Sequence, residues 1–211
     1  MQIVTPTKEI GGVIWSYRNN TNDLGIIDQV FTSNVCHLPE DMSGLTFIDI
    51  GAHIGSASAL AAIHGAKVFA YEPGWENYQL LQKMIKENDL DVTPFCLGVG
   101  FPGIRNLYVG GYNTGINSAF LISPELDASI YDFMRVISLS EVLSDKSCDF
   151  MKIDVEGCER EILPSVLEMP ERIHTISVEF HYPDRDILDK LREFYQITQF
   201  SNDGYLMEKL G

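Results

Sequence analysis

The chain has 211 residues, 45% hydrophobic and 21% charged, proportions that suit one α/β domain with a sizeable buried core. Asp and Glu number 30 against 15 Lys and Arg, and the resulting net charge of −15 argues against nucleic acid as a partner. No apolar run approaches the roughly 20 residues of a membrane span, and no basic stretch leads into an apolar signal core, so the expected compartment is the cytoplasm. Cys36, Cys96, Cys148 and Cys158 form no Cys-x-x-Cys pair, which excludes a zinc or iron–sulfur centre of the usual spacing and leaves reduced structural thiols.

Residues 1–45 read as an irregular cover segment and 46–211 as the main domain. Val13 to Tyr17 alternates as a short strand does, and Arg18 to Asp23 is a polar turn. Leu24 to Phe31 suits a short helix capped by Asp23, with Gly25 weakening its first turn. The segment either lies across the sheet edge as a lid or is an ordinary flank.

Strict alternation begins at Thr46. Thr46 to Gly55 reads T-F-I-D-I-G-A-H-I-G, an apolar strand and a glycine turn that opens the alanine-rich helix beginning at Ser56. Lys67 to Glu72 is a second strand closed by Pro73-Gly74, and Glu76 to Asn88 is an amphipathic helix. Asp91 to Val99 is a third strand, made less central by Pro94. Residues 100–135 break the rhythm, with Asn106 to Val109 as the one strand-like run and no periodicity over Ser123 to Met134. That insertion is either an acceptor-binding loop or a surface hairpin.

Regularity returns at Arg135 to Leu139 and a helix over Ser140 to Leu143. Strands follow at Phe150 to Asp154 and Thr175 to Phe180, separated by a helix from about Cys158 to Leu167. Asp184 to Phe194 is an amphipathic helix, and Tyr195 to Phe200 and Tyr205 to Leu210 form a hairpin around Asp203-Gly204. Strand–helix units ending in an antiparallel pair predict a Rossmann-like class I methyltransferase fold: a mostly parallel sheet with an antiparallel C-terminal strand and helices on both faces.

The glycine turn bears on the ligand. A dinucleotide site needs G-x-G-x-x-G, yet from Gly51 those later positions are His53 and Ser56, and the spacing here is G-x-x-x-G. S-adenosylmethionine carries no phosphate and suits such a turn beside acidic groups. By position, Asp49 lies beneath the turn, Glu72 accepts the ribose hydroxyls, and Leu97 and Gly98 flank adenine. Asp154, Glu156, Glu179 and His181 end two adjacent strands where an acceptor should lie. His181 is the preferred general base because its ordinary pKa of about 6.5 is nearest neutrality, with Asp154 next. Asp154, Glu156 and Glu179 are also of the type that can bind Mg2+.

F-I-D-I-G-A-H-I-G, V-F-A-Y-E-P, D-F-M-K-I-D-V-E-G over Asp149 to Gly157, and Ser177 to His181 together resemble FkbM-type S-adenosylmethionine-dependent methyltransferases. Arg18-x-x-Thr21-x-Asp23 also resembles a stretch found before their first strand. The resemblance implies methyl transfer to a hydroxyl of a small molecule such as a sugar, glycolipid or other natural product. Its cofactor residues map to Asp49, Gly51, His53, Gly55, Ser56, Glu72, Leu97, Gly98 and Asp154, with Asp23 added if the front segment folds over the site. His53 departs from the family's usual Asn. Ser118, Arg18 and Asp23 otherwise read as turn or cap residues. The alternatives are a nicotinamide-dependent oxidoreductase and a non-catalytic S-adenosylmethionine-binding module.

Overall fold

The computed structural model describes residues 5–109, 114–119, 131–144 and 146–211. The front segment forms the hairpin β1 (Thr7–Ile10) and β2 (Val13–Ser16) and then α1 (Asp23–Ser33). An alternating run follows: β3 (Thr46–Ile50), α2 (Ser56–Ile63), β4 (Lys67–Tyr71), α3 (Trp75–Asn88) and β5 (Val92–Phe95). Next come β6 (Gly98–Val99), β7 (Gly103–Tyr108), β8 (Tyr131–Ile137) and α4 (Leu139–Leu143). The chain ends with β9 (Cys148–Ile153), α5 (Glu159–Leu167), β10 (Ile173–Glu179), α6 (Arg185–Leu191), β11 (Tyr195–Gln199) and β12 (Gly204–Lys209).

The main sheet has the order β11-β12-β10-β9-β3-β4-β5. Its central strands are parallel, and β12 runs antiparallel to both β10 and β11. Strand alternation divides the core in two. Phe47 and Phe150 point to the side shared with α1, α2 and α3, while Ile48, Met151 and Ile153 point to the side shared with α4, α5 and α6. The same alternation directs Asp49 and its register partner Lys152 away from the α5 side and toward α2. Val13, Trp15, Ile27 and Val30 of the front segment belong to the first of these cores, so that segment is packed rather than draped.

Several expectations change in detail. Asp23 does not cap α1: it lies within the first turn, and the preceding residue, Asn22, makes no side-chain cap bond. The run from Asp91 to Val99 is two strands. β5 forms the sheet edge, where Pro94 needs no N–H partner, and β6 leaves to join a smaller sheet of order β6-β8-β7. The described part of the 100–135 insertion is therefore an antiparallel pair, with Gly103 opposite Val136 and Asn106 opposite Phe133. The expectation for Ser123 to Ile130 lies outside the described residues. Asp184 caps α6 by accepting the N–H groups of Asp186 and Ile187, and that helix stops at Leu191. Among the described residues no helix is long and apolar enough to cross a membrane.

Candidate active site

A cavity of about 810 Å³ opens over the carboxyl ends of the parallel strands. Gly51, His53, Ser56, Glu72, Leu97, Gly98 and Asp154, expected to hold a cofactor, all line it. Asp49, Gly55 and Asp23 do not, and their roles are corrected to structural support.

Asp49 is fully buried beneath the turn and bonds none of its N–H groups. Its Oδ2 accepts the Ser58 hydroxyl at 2.6 Å, and Oδ1 has no hydrogen-bond partner but lies 3.5 Å from the Lys152 ammonium. Gly55 (φ 95°) is needed for packing, since a side-chain carbon there would strike Leu81 and Met84 of α3. At Gly51 (φ 82°) it would overlap the Asp154 carbonyl, so that glycine allows the turn after β3 to touch the end of β9.

Lys152 was missed in the sequence, although a lysine inside the apolar run F-M-K-I is itself a signal. Its Nζ donates to the Gly51 carbonyl at 3.0 Å and lies 3.3 Å from Asp154 Oδ2. Burial works against the ammonium, but the charges of Asp154 and Asp49 outweigh it and hold the pKa well above the ordinary lysine value. One largely buried cation thus joins the turn, the strand beneath it and the end of β9.

Glu72 stands at the end of β4 as expected, but it is already engaged. Oε1 accepts from Gly74 N–H at 2.8 Å and from Asn77 Nδ2 at 3.2 Å, and Oε2 accepts from His53 N–H at 2.9 Å. Capacity for one further donor remains on Oε2, so the expectation that Glu72 takes both ribose hydroxyls is reduced to one. Burial raises its pKa, opposed by those same bonds.

His53 is the keystone of a closed circuit. Its Nε2 is 2.9 Å from Thr114 Oγ1, which in turn donates to Asp23 Oδ1 at 2.7 Å. Asp23 is fully buried and grips Arg18 through both carboxylate oxygens, and Arg18 also donates to Asn77 Oδ1 at 2.8 Å. Asn77 returns to Glu72, and Glu72 to His53. Because the one Thr114 hydroxyl proton goes to the carboxylate, His53 Nε2 carries the hydrogen, and Nδ1 has no partner. Burial pushes the imidazole down to about 4 and keeps it neutral. Asn77 and Thr114 were invisible in the sequence because Arg18 lies 59 residues from Asn77, and His53 and Asp23 lie 61 and 91 residues from Thr114.

The predicted catalytic group is brought together at the ends of β9 and β10. Asp154, Glu156 and Glu179 line the cavity, and His181 stands behind them. Glu156 adopts a left-handed φ of 51°, and its carbonyl accepts the Ser118 hydroxyl at 2.5 Å. Glu159, fully buried in the first turn of α5 and also unforeseen, accepts the N–H groups of Val155 and Gly157 and meets His181 Nδ1 at 3.1 Å. His181 Nε2 is 3.1 Å from Glu156 Oε2 and 3.8 Å from Glu179 Oε1. Burial opposes charge on the ring, but the Glu159 bond and the surrounding carboxylates push His181 up to about 10. An imidazolium cannot accept a proton, which corrects its assignment as general base. Burial and the neighbouring Asp154 raise Glu156 to about 8, and Asp154 followed by burial raises Glu179 to about 7.

Among the described residues, the group within bridging distance of a cation is Asp154, Glu156 and His181, whose donor atoms lie within 4.8 Å of one another, and it does not include Glu179. One of its three ligand atoms is an imidazole nitrogen, whereas Mg2+ prefers oxygen ligands.

Strand order, glycine turn and acid-tipped β4 together define the class I S-adenosylmethionine-dependent methyltransferase fold. The chain is similar to magnesium protoporphyrin IX methyltransferase from Synechocystis PCC 6803, solved with bound S-adenosylmethionine (TM-score 0.53, 12% identity, 92% of this chain and 84% of that one). It is likewise similar to a methyltransferase from Geobacter sulfurreducens (TM-score 0.51, 13% identity, 89% of each chain). It also matches the 16S rRNA N2 G1207 methyltransferase of T. thermophilus, of which it spans only half (TM-score 0.51, 12% identity, 98% of this chain and 50% of that one). No curated protein sequence matches significantly. The methyltransferase FkbM domain profile matches residues 49–207, most of the chain, and the protein belongs to that family. It is an S-adenosylmethionine-dependent methyltransferase, not a nicotinamide oxidoreductase.

Proposed function

We propose that the enzyme methylates a hydroxyl of a small polyhydroxylated acceptor, a sugar, glycolipid or related natural product. The carrying observation is the convergence of Asp154, Glu156 and Glu179 on the cavity, an array of hydrogen-bond acceptors suited to neutral hydroxyl groups. The net charge of −15 favours such an acceptor over RNA, whose phosphates it repels. S-adenosylmethionine, when bound, supplies an electrophilic methyl group. Gly51, His53, Ser56, Glu72 and Leu97 are the residues that would hold it.

The chain's own task is to place a hydroxyl and remove its proton. Glu156 is the proposed base, because a carboxyl group raised to about 8 is a stronger proton acceptor than an ordinary one. Asp154 orients the hydroxyl, Lys152 holds Asp154, and the His181 imidazolium limits the negative charge that builds up around Glu156. Mg2+ has no place in this scheme.

The test is transfer of labelled methyl from S-adenosylmethionine to a panel of hydroxyl acceptors, with mass analysis of the product linkage. Glu156→Gln and Asp154→Asn are expected to lower kcat by about 100-fold, within the range for general-base catalysis, with S-adenosylhomocysteine affinity held within about threefold. Excess chelator should leave turnover unchanged. Methyl on nitrogen or carbon, or wild-type rates in both variants, would sink the proposal.

A further inference from the structure

One end of the cavity has no role in the assignments above. The sheet order sets the glycine turn, Glu72 and Leu97 over β3, β4 and β5, and leaves β9, β10 and β12 on the other flank. Gly204, which opens β12, pairs with Glu179, which ends β10. The turn just before it, Phe200 to Asp203, therefore stands beside the catalytic carboxylates. The N–H of Phe180 donates to the Asp203 carbonyl at 2.7 Å and fixes that turn. Opposite it, the loop leaving α1 brings His37 to the same cavity. The His37 and Phe200 rings meet there, with centroids 4.0 Å apart and planes tilted by 49°.

Both loops are shaped to produce this contact. Asn34 and His37 hold left-handed φ values of 44° and 54°. The Asn34 side chain donates to the Leu38 carbonyl at 2.7 Å and accepts its N–H at 2.9 Å, closing the loop around His37. On the other side, a side-chain carbon at Gly204 would overlap the Phe200 ring, so the glycine leaves room for the ring to fold over its own turn. Phe200 remains 37% exposed, a large aromatic face held at the cavity rim without core packing to account for it.

We propose that His37 and Phe200 form the wall on which the ring of the acceptor is seated, making these two loops its specificity determinant. The inference rests on the hydroxyl-acceptor reading above. The C–H face of a pyranose is apolar and weakly positive, which matches the negative face of an aromatic ring. Its hydroxyl groups radiate from the edge, where the Glu179 and Asp203 carboxylates can accept them.

The experiment uses methyl α-D-glucopyranoside, methyl α-D-mannopyranoside and methyl β-D-galactopyranoside with protein saturated in S-adenosylhomocysteine. Glycoside binding is read by saturation-transfer NMR and S-adenosylhomocysteine affinity by calorimetry. At least one glycoside should bind the wild type. Phe200→Ala should weaken it about fivefold or more, with S-adenosylhomocysteine affinity held within about twofold. Gly204→Ala, which displaces the ring without deleting it, should do the same, and Phe200→Tyr should restore binding. Equal glycoside binding by Phe200→Ala, or a parallel loss of S-adenosylhomocysteine affinity, would overturn the wall while leaving the hydroxyl-acceptor reading intact. A wild-type enzyme that binds none of the three would overturn the wall, while the hydroxyl-acceptor reading stands or falls separately on the product linkage found with the acceptor panel.

Discussion

At the scale of single residues, the site separates charges that sequence position alone makes look equivalent. Glu156 must be deprotonated to act, so kcat/KM should climb with pH, reach half its plateau near pH 8 and level off only above it, well beyond the usual carboxylate range. The His181 imidazolium lowers Glu156, so His181→Gln should move that limb to still higher pH, and a limb left in place would remove His181 from this role. His53 behaves oppositely. Its folded pKa of about 4 lies below the ordinary 6.5, so the unfolded chain binds the proton first. The stability it contributes is complete above pH 6.5 and is lost as pH falls toward 4. His53→Asn, which tolerates the left-handed φ of 54°, should flatten that acid limb by about 2 kcal/mol in urea titrations. An unchanged limb would contradict the neutral, buried assignment.

At the scale of elements, the front segment matters through α1 and not through direct ligand contact. Asp23 sits in the first turn of that helix and, through Arg18 and Asn77, braces Glu72 at the end of β4. Arg18 also lowers the Asp23 pKa, although burial works the other way. Asp23→Asn would leave the partly buried Arg18 guanidinium with the exposed Glu76 carboxylate, 3.8 Å away, in place of its buried partner, at a cost of about 3 kcal/mol in chemical unfolding. It should also weaken S-adenosylhomocysteine binding about tenfold, although Asp23 does not line the cavity. Loss of stability without loss of affinity would confine Asp23 to the fold. The α5 turn is a parallel case, because Glu159 orders the Asp154-to-Gly157 loop and the His181 ring with one carboxylate.

At the scale of the whole molecule, the carboxylate cluster and the net charge of −15 act in the same direction. Glu156, Glu179 and His181 all hold protons more tightly when folded, with pKa values of about 8, 7 and 10. Their contribution is full below the ordinary values of 4.5 for the glutamates and 6.5 for the histidine, and it is lost as pH rises through those folded values. Melting temperature should therefore fall from pH 7 to pH 10. Glu156→Gln, which removes one of the repelling charges, should reduce that slope; a slope that steepens would refute the charge-crowding account.

The parallel sheet, the glycine turn and the carboxylates at the cavity's strand ends are legible in the sequence alone. Near-continuous apolar runs such as Phe47 to Ile50 and Phe150 to Ile153 dictate strands buried on both faces, as in a parallel sheet, and carboxylates at strand ends follow from chain order alone. What only the tertiary structure decided is the state of those groups. His181 reads as a base until Glu156, Glu159 and Glu179 are seen around it, and Glu72 reads as free until His53, Gly74 and Asn77 occupy it. Asp23 reads as a helix cap until Arg18 and Thr114 take its oxygens. Each of these outcomes depends on side-chain directions set by the tertiary fold, on distant partners such as Thr114 for Asp23 and Glu159 for His181, and on burial, which sets whether a charge persists. Local pattern encodes neither.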